Sequence, residues 1–204
     1  MINQDFWTFF NKQGVSKERA EGLLRESKRI VDYERSMIGR GRYWQISKDE
    51  VRTMYAVMKF RNPSTVIETG MGPGVSTTTI LSAVDNEAVV ISIDPDIPYG
   101  KGDKELGFVI PEGMKSRLHY VKGTSREMLA EVLKSLKSVD IFFHDSDHTY
   151  DNIMFELNTV WPKLSSSSLI LIDNYDWTEA PVDFANEKRL SLFNIADDLA
   201  LLSR

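Results

Sequence analysis

Residues 144–152, HDSDHTYDN, place Asp145, Asp147, His148 and Asp151 directly after the apolar run VDIFF. Carboxylates just past the end of a strand lie where open α/β sheets bind ligands. A second apolar run, LILI, ends in Asp173-Asn174. Asp145, Asp173 and Asn174 would bring three hard oxygen donors from neighbouring strand ends, a set suited to Mg²⁺ or Ca²⁺ with water or substrate filling the other positions. The imidazole of His148, three residues after Asp145, adds a base that titrates near neutrality. The competing reading is that acidic strand ends only cap helices and face water, which does not explain carboxylates at two neighbouring ends.

Ahead of both runs lies VIETGMGPGVSTTTIL, residues 66–81. Glu68 closes a β-forming run, Gly70, Gly72 and Gly74 follow on alternate positions, and Ser76 starts a helix. Bare backbone in such a turn lets a ligand come close. The spacing G-x-G-x-G puts Val75 where the dinucleotide fingerprint needs its third glycine. Glu68 would also repel a pyrophosphate at short range, so the turn suits a ligand carrying positive charge. S-adenosylmethionine, with a sulfonium and an ammonium against one carboxylate, is such a ligand.

This stretch resembles motif I, [E/D]-x-G-x-G-x-G, of the class I SAM-dependent methyltransferases. The resemblance implies that Glu68, Gly70, Gly72, Gly74 and Ser76 line the cofactor site. It implies also that Asp94, at the end of VVISID, takes the ribose hydroxyls, and that Gly123, Thr124 and Ser125 stand near the adenine. Read locally, Asp94 is a turn residue before Pro95 and Thr124-Ser125 an N-cap. The acidic strand ends resemble the divalent-metal-dependent O-methyltransferases of the catechol and caffeoyl-CoA type. That likeness implies Asp145, Asp173 and Asn174 on the metal, and His148 where those families carry a catalytic lysine. The phrase DSDHTYDNIMFEL is similar to the cephalosporin hydroxylase-like family and to metal-dependent sugar O-methyltransferases, whose fifth strand usually ends in Glu-Asp rather than Asp-Asn. The implied activity is O-methylation of a small-molecule hydroxyl, with His148 and Asp145 catalytic and S-adenosyl-L-methionine and Mg²⁺ as cofactors.

Two other readings compete. The stretch DSDHT fits the D-x-D-x-T motif that resembles haloacid-dehalogenase-type phosphohydrolases, with Asp145 as nucleophile and Asp147 as acid. That family carries the motif on its first strand, whereas here three strands and the glycine turn precede it. A SAM-binding protein without catalysis is the other, and the presence of both a base and a ligand set speaks against it.

The elements that must position these groups follow from hydrophobic spacing. Residues 1–60 show apolar positions near helical spacing, as in Leu23, Leu24, Ile30, Val31, Met54, Val57 and Met58. From Thr65 short β-rich runs alternate with helical stretches, the pattern of a parallel sheet covered by helices on both faces. RLSLFNIADDLALLSR alternates apolar and polar residues around Asp197-Asp198 and reads as an antiparallel hairpin closing the sheet. The expected fold is therefore α/β and doubly wound, with the mostly parallel seven-stranded sheet that the resemblance implies. An N-terminal helical segment (1–60) would precede the methyltransferase domain (61–204). Residues 39–47 read either as a helix connection or as a substrate lid, and 95–113 as a long loop that orders around substrate; together they would shape the acceptor pocket. A net charge of -5 and a pI of about 5.3 speak against nucleic acid as partner. The absence of cysteine excludes thiolate sites, and no apolar run approaches membrane-spanning length. A cytoplasmic protein with a small-molecule acceptor, self-associating if at all through its N-terminal helices, is the expectation.

Overall fold

The structure is a computed structural model and describes residues 1–39, 41, 43–97 and 104–204. Four helices come first: α1 (Gln4–Lys12), α2 (Lys17–Glu26), α3 (Lys28–Ile38) and α4 (Lys48–Arg61). Strands and helices then alternate through β1 (Thr65–Thr69), α5 (Val75–Ala83), β2 (Val89–Asp94), the single turn α6 (Glu112–Lys115), β3 (Leu118–Lys122), α7 (Ser125–Lys134), β4 (Val139–His144), α8 (Tyr150–Val160) and β5 (Leu164–Ile172). The chain ends with α9 (Ala180–Lys188), β6 (Ser191–Ala196) and β7 (Leu199–Ser203).

The seven strands form one sheet in the order β3-β2-β1-β4-β5-β7-β6. The first five are mutually parallel, while β7 runs antiparallel to both β5 and β6. This is the doubly wound sheet with a closing hairpin that the residue pattern predicts. Chain order reverses between β1 and β4, and the crevice outside the carboxyl ends of those two strands is where such sheets bind ligands. Asp145 follows β4 directly, and the glycine turn follows β1.

Alternation along each strand divides the interior in two. Val66, Ile141, Phe143, Leu169 and Leu171 face the core shared with α4 and α5, whereas Ile67, Phe142, Ile170 and Ile172 face α7, α8 and α9. The N-terminal helices belong to the first of these cores. Phe9 and Phe10 of α1 meet Phe60 of α4, and Phe9 reaches Phe193 of β6 with ring centroids 5.7 Å apart. Ser47 caps α4 in a capping box with Glu50, which fixes where that helix starts beside the sheet's carboxyl edge. Among the described residues no helix is long and apolar enough to cross a membrane.

Helix α3 is joined to α5 by a buried carboxyl. Glu34 is 3% exposed; its Oε1 accepts from Thr79 Oγ1 at 2.9 Å, and its Oε2 has no partner among the described residues. Burial pushes this group up from the ordinary 4.5 to about 8, the Thr79 hydroxyl opposing. The folded chain therefore binds more protons than the unfolded chain between those limits. Its contribution is fully present below about pH 4.5 and is lost as pH rises through about 8. Unfolding by urea across pH 5–9 should show stability falling with pH, and Glu34→Gln should flatten part of that slope, by at most about 5 kcal/mol. Equal slopes for the two proteins would mean that Glu34 is ionised in the fold.

Candidate active site at the strand ends

The glycine turn is built on left-handed backbone. Gly70, Gly72 and Gly74 have φ of 86°, 50° and 90°, values that cost a side-chain-bearing residue energy. Space is short as well: a β-carbon on Gly70 would run into the backbone carbonyl of Asp145, and one on Gly74 would lie 2.6 Å from Ile110 Cγ1. Gly70 N–H donates to Ile93 at 2.8 Å and Asp145 N–H to Thr69 at 2.8 Å, so the ends of β1, β2 and β4 are laced together there. Asp94 is fully buried at this junction. Its Oδ2 accepts from the backbone N–H groups of Met71 (2.8 Å) and Gly72 (3.1 Å), and its Oδ1 from Asp96 at 2.7 Å.

Several residues expected to line the cofactor site are turned elsewhere. Glu68 has no exposed surface, and its carboxylate accepts from Ser76 Oγ (2.5 Å), Thr77 Oγ1 (2.6 Å) and Ser92 Oγ (2.7 Å). Burial raises it to about 7 while the three hydroxyls pull it back. Glu68 and Ser76 thus tie the first turn of α5 to β1 and β2 instead of presenting charge outward. Thr124 is the N-cap of α7 in a capping box with Glu127, the local reading of that position. Ser125 Oγ points toward Asn152 Oδ1 at 3.5 Å.

Above the turn, residues 104–110 fold back as a cover. Gly107 N–H donates to Gly72 and Val109 N–H to Pro73, each at 2.9 Å, and Tyr33 Oη donates to the Val109 carbonyl at 2.9 Å. The Tyr43 ring rests on Phe108, so the 43–47 and 104–110 segments meet over the glycine turn, with Trp44 left 85% exposed. Arg40 and Arg42 of the first loop, and residues 98–103 of the second, lie outside the described residues.

The acidic strand ends converge. Asp145, His148 and Asp173 each offer a donor atom within 4.8 Å of the others, and His148 Nε2 lies 3.7 Å from Asp145 Oδ1. Among the described residues, the buried Asp173 Oδ1 and His148 Nδ1 have no hydrogen-bond partner. Asn174, expected on the metal, has a left-handed backbone (φ 50°) and donates its amide to Asp198 Oδ2 at 2.7 Å. Asp147 and Asp151 face outward. Two carboxylates the sequence reading did not single out complete the surroundings. Glu50 of α4 and Asp198 of the β6–β7 turn come within 4.8 Å of each other and of Asp173. Burial, then Asp173 nearby, raises Asp145 well above the usual carboxylate range; burial and Asp198 raise Asp173 to about 6, and burial and Asp198 raise Glu50 to about 8. Burial, then His144, lowers His148 to about 4.

His144 and Glu156 also escaped the sequence reading. Both are fully buried, and His144 Nδ1 lies 2.7 Å from Glu156 Oε2. The signal was a polar pair, Asn152 and Glu156, spaced i, i+4 beside the apolar stripe Ile153, Leu157 and Val160.

A family model described as "Methyltransferase domain" matches residues 67–175, just over half of the chain and the span from β1 to the turn after β5. No curated protein matches. Among solved structures, the chain is similar to a methyltransferase from Geobacter sulfurreducens, with a TM-score of 0.68 and 19% identity over 89% of this chain and 92% of that one. It is similar also to the calicheamicin methyltransferase CalS11 (TM-score 0.57, 14% identity, 87% and 92% covered). An O-methyltransferase from Bacillus cereus, solved in complex with SAH, aligns with a TM-score of 0.54 and 11% identity over 90% and 91%. These likenesses bear on the fold.

The close approach of Gly70 to Asp145 is directly testable. Gly70→Ala should destabilise the protein by at least about 2 kcal/mol in denaturant titration, because backbone faces backbone and neither side can yield cheaply. An unchanged midpoint would place the turn further from β4 than it stands here.

Proposed function

Because the chain belongs to this methyltransferase-domain family, we propose that it moves the methyl group of S-adenosyl-L-methionine onto an oxygen of a small-molecule acceptor. Asp145 and Asp173 would hold a divalent cation such as Mg²⁺, and His148 would take the acceptor's proton. The observation that carries this reading is the convergence of Asp145, Asp173 and His148 from two adjacent strand ends, beside the glycine turn. The donor set fits a cation: burial and a neighbouring carboxylate raise each of Asp145 and Asp173, and among the described residues the buried Asp173 Oδ1 has no hydrogen-bond partner. A cation held there supplies Lewis-acid polarisation of the acceptor hydroxyl.

The chain's own residues do the rest. Asp94, buried at the end of β2, holds the turn through Met71 and Gly72 and stands where ribose hydroxyls are taken in sheets of this kind. His148, unprotonated at neutral pH, removes the hydroxyl proton as the O–CH₃ bond forms and the C–S bond breaks; the products are the methyl ether, S-adenosylhomocysteine and a protonated imidazole. Trp177, 65% exposed, meets the His148 ring at 5.4 Å and shields one side of it. Orientation of acceptor and methyl donor provides much of the acceleration, since little other chemistry falls to the protein. The similarity to an O-methyltransferase seen with SAH supports oxygen as the acceptor atom and SAM as the donor. A second reading makes His148 the third metal ligand in place of Asn174, favoured by its nitrogen lying within the Asp145–Asp173 group.

S-adenosylhomocysteine at a hundredfold excess over its Kd should raise the melting temperature by about 5–10 °C, whereas NAD should not. Asp94→Ala should shrink that shift. Stabilisation by NAD alone would remove the methyl-transfer reading. For mechanism, Asp173→Asn should abolish activity together with its response to metal, and His148→Ala should lower turnover by about 10²- to 10⁴-fold with unchanged SAH affinity. Titration of Mn²⁺ into His148→Ala separates the two roles: unchanged affinity marks a base, a large loss marks a ligand. Full turnover in excess chelator would take the metal out of the reaction.

A further inference from the structure

Beneath the site lies a buried polar hub that the proposed reaction does not use. Glu156 Oε2 accepts from Thr69 Oγ1 and faces His144 Nδ1, each at 2.7 Å; Oε1 accepts from Ser146 Oγ at 2.6 Å and from Asn152 Nδ2 at 3.1 Å. The donors come from the end of β1, the end of β4, the loop carrying Asp145 to His148, and the first turn of α8. Asn152 Nδ2 is shared further, with Ser146 Oγ and the Asp147 carbonyl. One carboxylate thus gathers the backbone on both sides of Asp145 and just ahead of His148.

Burial alone would raise Glu156, but His144 and the surrounding hydroxyls outweigh it and hold the group at about 2. An ionised carboxylate only accepts, so the hydrogen in the 2.7 Å contact sits on His144 Nδ1. Fixing one nitrogen fixes the ring, and the other nitrogen, Nε2, is buried without a hydrogen-bond partner among the described residues. That ring meets His148 edge-to-face, centroids 5.1 Å apart at 86°, while Trp177 lies 5.4 Å from His148. A carboxylate buried against an imidazole is costly compared with apolar packing unless it does something geometric.

We propose that His144 and Glu156 form a positioning pair for His148: Glu156 locks the His144 ring through Nδ1, and the His144 ring, together with Trp177, sets the His148 imidazole against Asp145. The proposal rests on the reading of His148 as the working group of the site and holds whether it serves as base or as ligand. Neither residue touches substrate. Working groups must be held within about 0.5 Å of their productive geometry, and partners behind the reacting residues are what do so.

The test uses the full chain with ¹⁵N-labelled histidine, which gives three imidazoles, His119, His144 and His148. His119 is exposed on β3 and serves as the internal reference. In the wild type, His144 should show a hydrogen on Nδ1 that exchanges slowly with water. Glu156→Gln keeps an acceptor without the charge, and should retain that hydrogen while its exchange quickens about five- to ten-fold. His144→Phe keeps a ring of similar size and should shift the His148 ring resonances while leaving His119 unmoved. A wild-type His144 hydrogenated only on Nε2 would overturn the proposal, and so would His148 resonances in His144→Phe that coincide with those of the wild type. The wild-type spectrum alone decides the first point, so the proposal stays open to refutation if a variant fails to fold. All readings are taken on the free protein. Failure of S-adenosylhomocysteine to bind would therefore refute the methyl-transfer reading and leave these spectra as they are.

Discussion

The site depends on one close approach, that of the turn after β1 to the backbone after β4. Gly70 stands where any β-carbon would strike the Asp145 carbonyl, and the hydrogen bonds Asp145 to Thr69 and Gly70 to Ile93 pin the three strand ends together. Because of it, the turn proposed for the methyl donor and the carboxylates proposed for the acceptor side share a seam. A bulkier residue at 70 would push them apart, and under the proposed reaction a misplacement of about 1 Å would be enough to cost a hundredfold. The parallel order of β1 and β4 makes the approach possible, because both carboxyl ends emerge on the same edge of the sheet.

Once the strand ends are drawn together, their charges become the next constraint. Asp145, Asp173, Asp198 and Glu50 converge from β4, β5, the β6–β7 turn and the N-terminal helix α4. Asp145 lies within 4.8 Å of Asp173, and Asp173 within 4.8 Å of Glu50 and Asp198; partly out of water, such repulsion amounts to about a kcal/mol or more per pair. It is relieved by protons, as the raised Glu50 and Asp145 indicate, or by a cation. A cation held there would compete with protons for the same oxygens, which would couple its affinity to pH through the carboxylates.

Much of this was legible because it depends on spacing along the chain. Three glycines on alternate positions, carboxylates ending apolar runs, and the alternation of strand and helix patterns are all local signals, and the sheet follows them. The parts that were not legible depend on what meets a side chain from elsewhere. Glu68 reads as the acidic residue of a ligand turn, yet strand alternation gives only its face; three hydroxyls on α5 and β2 then take up its charge. Thr124 has the same types around it whether it meets a ligand or caps a helix, and Glu127 three residues on is the local clue that favours the cap. Glu50 is a capping-box residue by sequence, and only the docking of α4 brings it to Asp173, more than a hundred residues away.

At the His144–Glu156 hub, stability and the specification of one loop conformation pull apart. Burying a carboxylate costs more than burying apolar groups of similar volume, and position 156 lies beside the apolar stripe of α8 around Ile153 and Leu157. An apolar residue there would leave Thr69 Oγ1 and His144 Nδ1 buried without that acceptor, and Ser146 and Asn152 would each lose a bond, so the loop from Asp145 to His148 would lose contacts that give it one conformation. Four donors on one carboxylate specify the loop in a way that hydrophobic packing, being non-directional, does not. A short loop that must hold a carboxylate and an imidazole in register therefore has a physical reason to be anchored by charge, even where that costs stability.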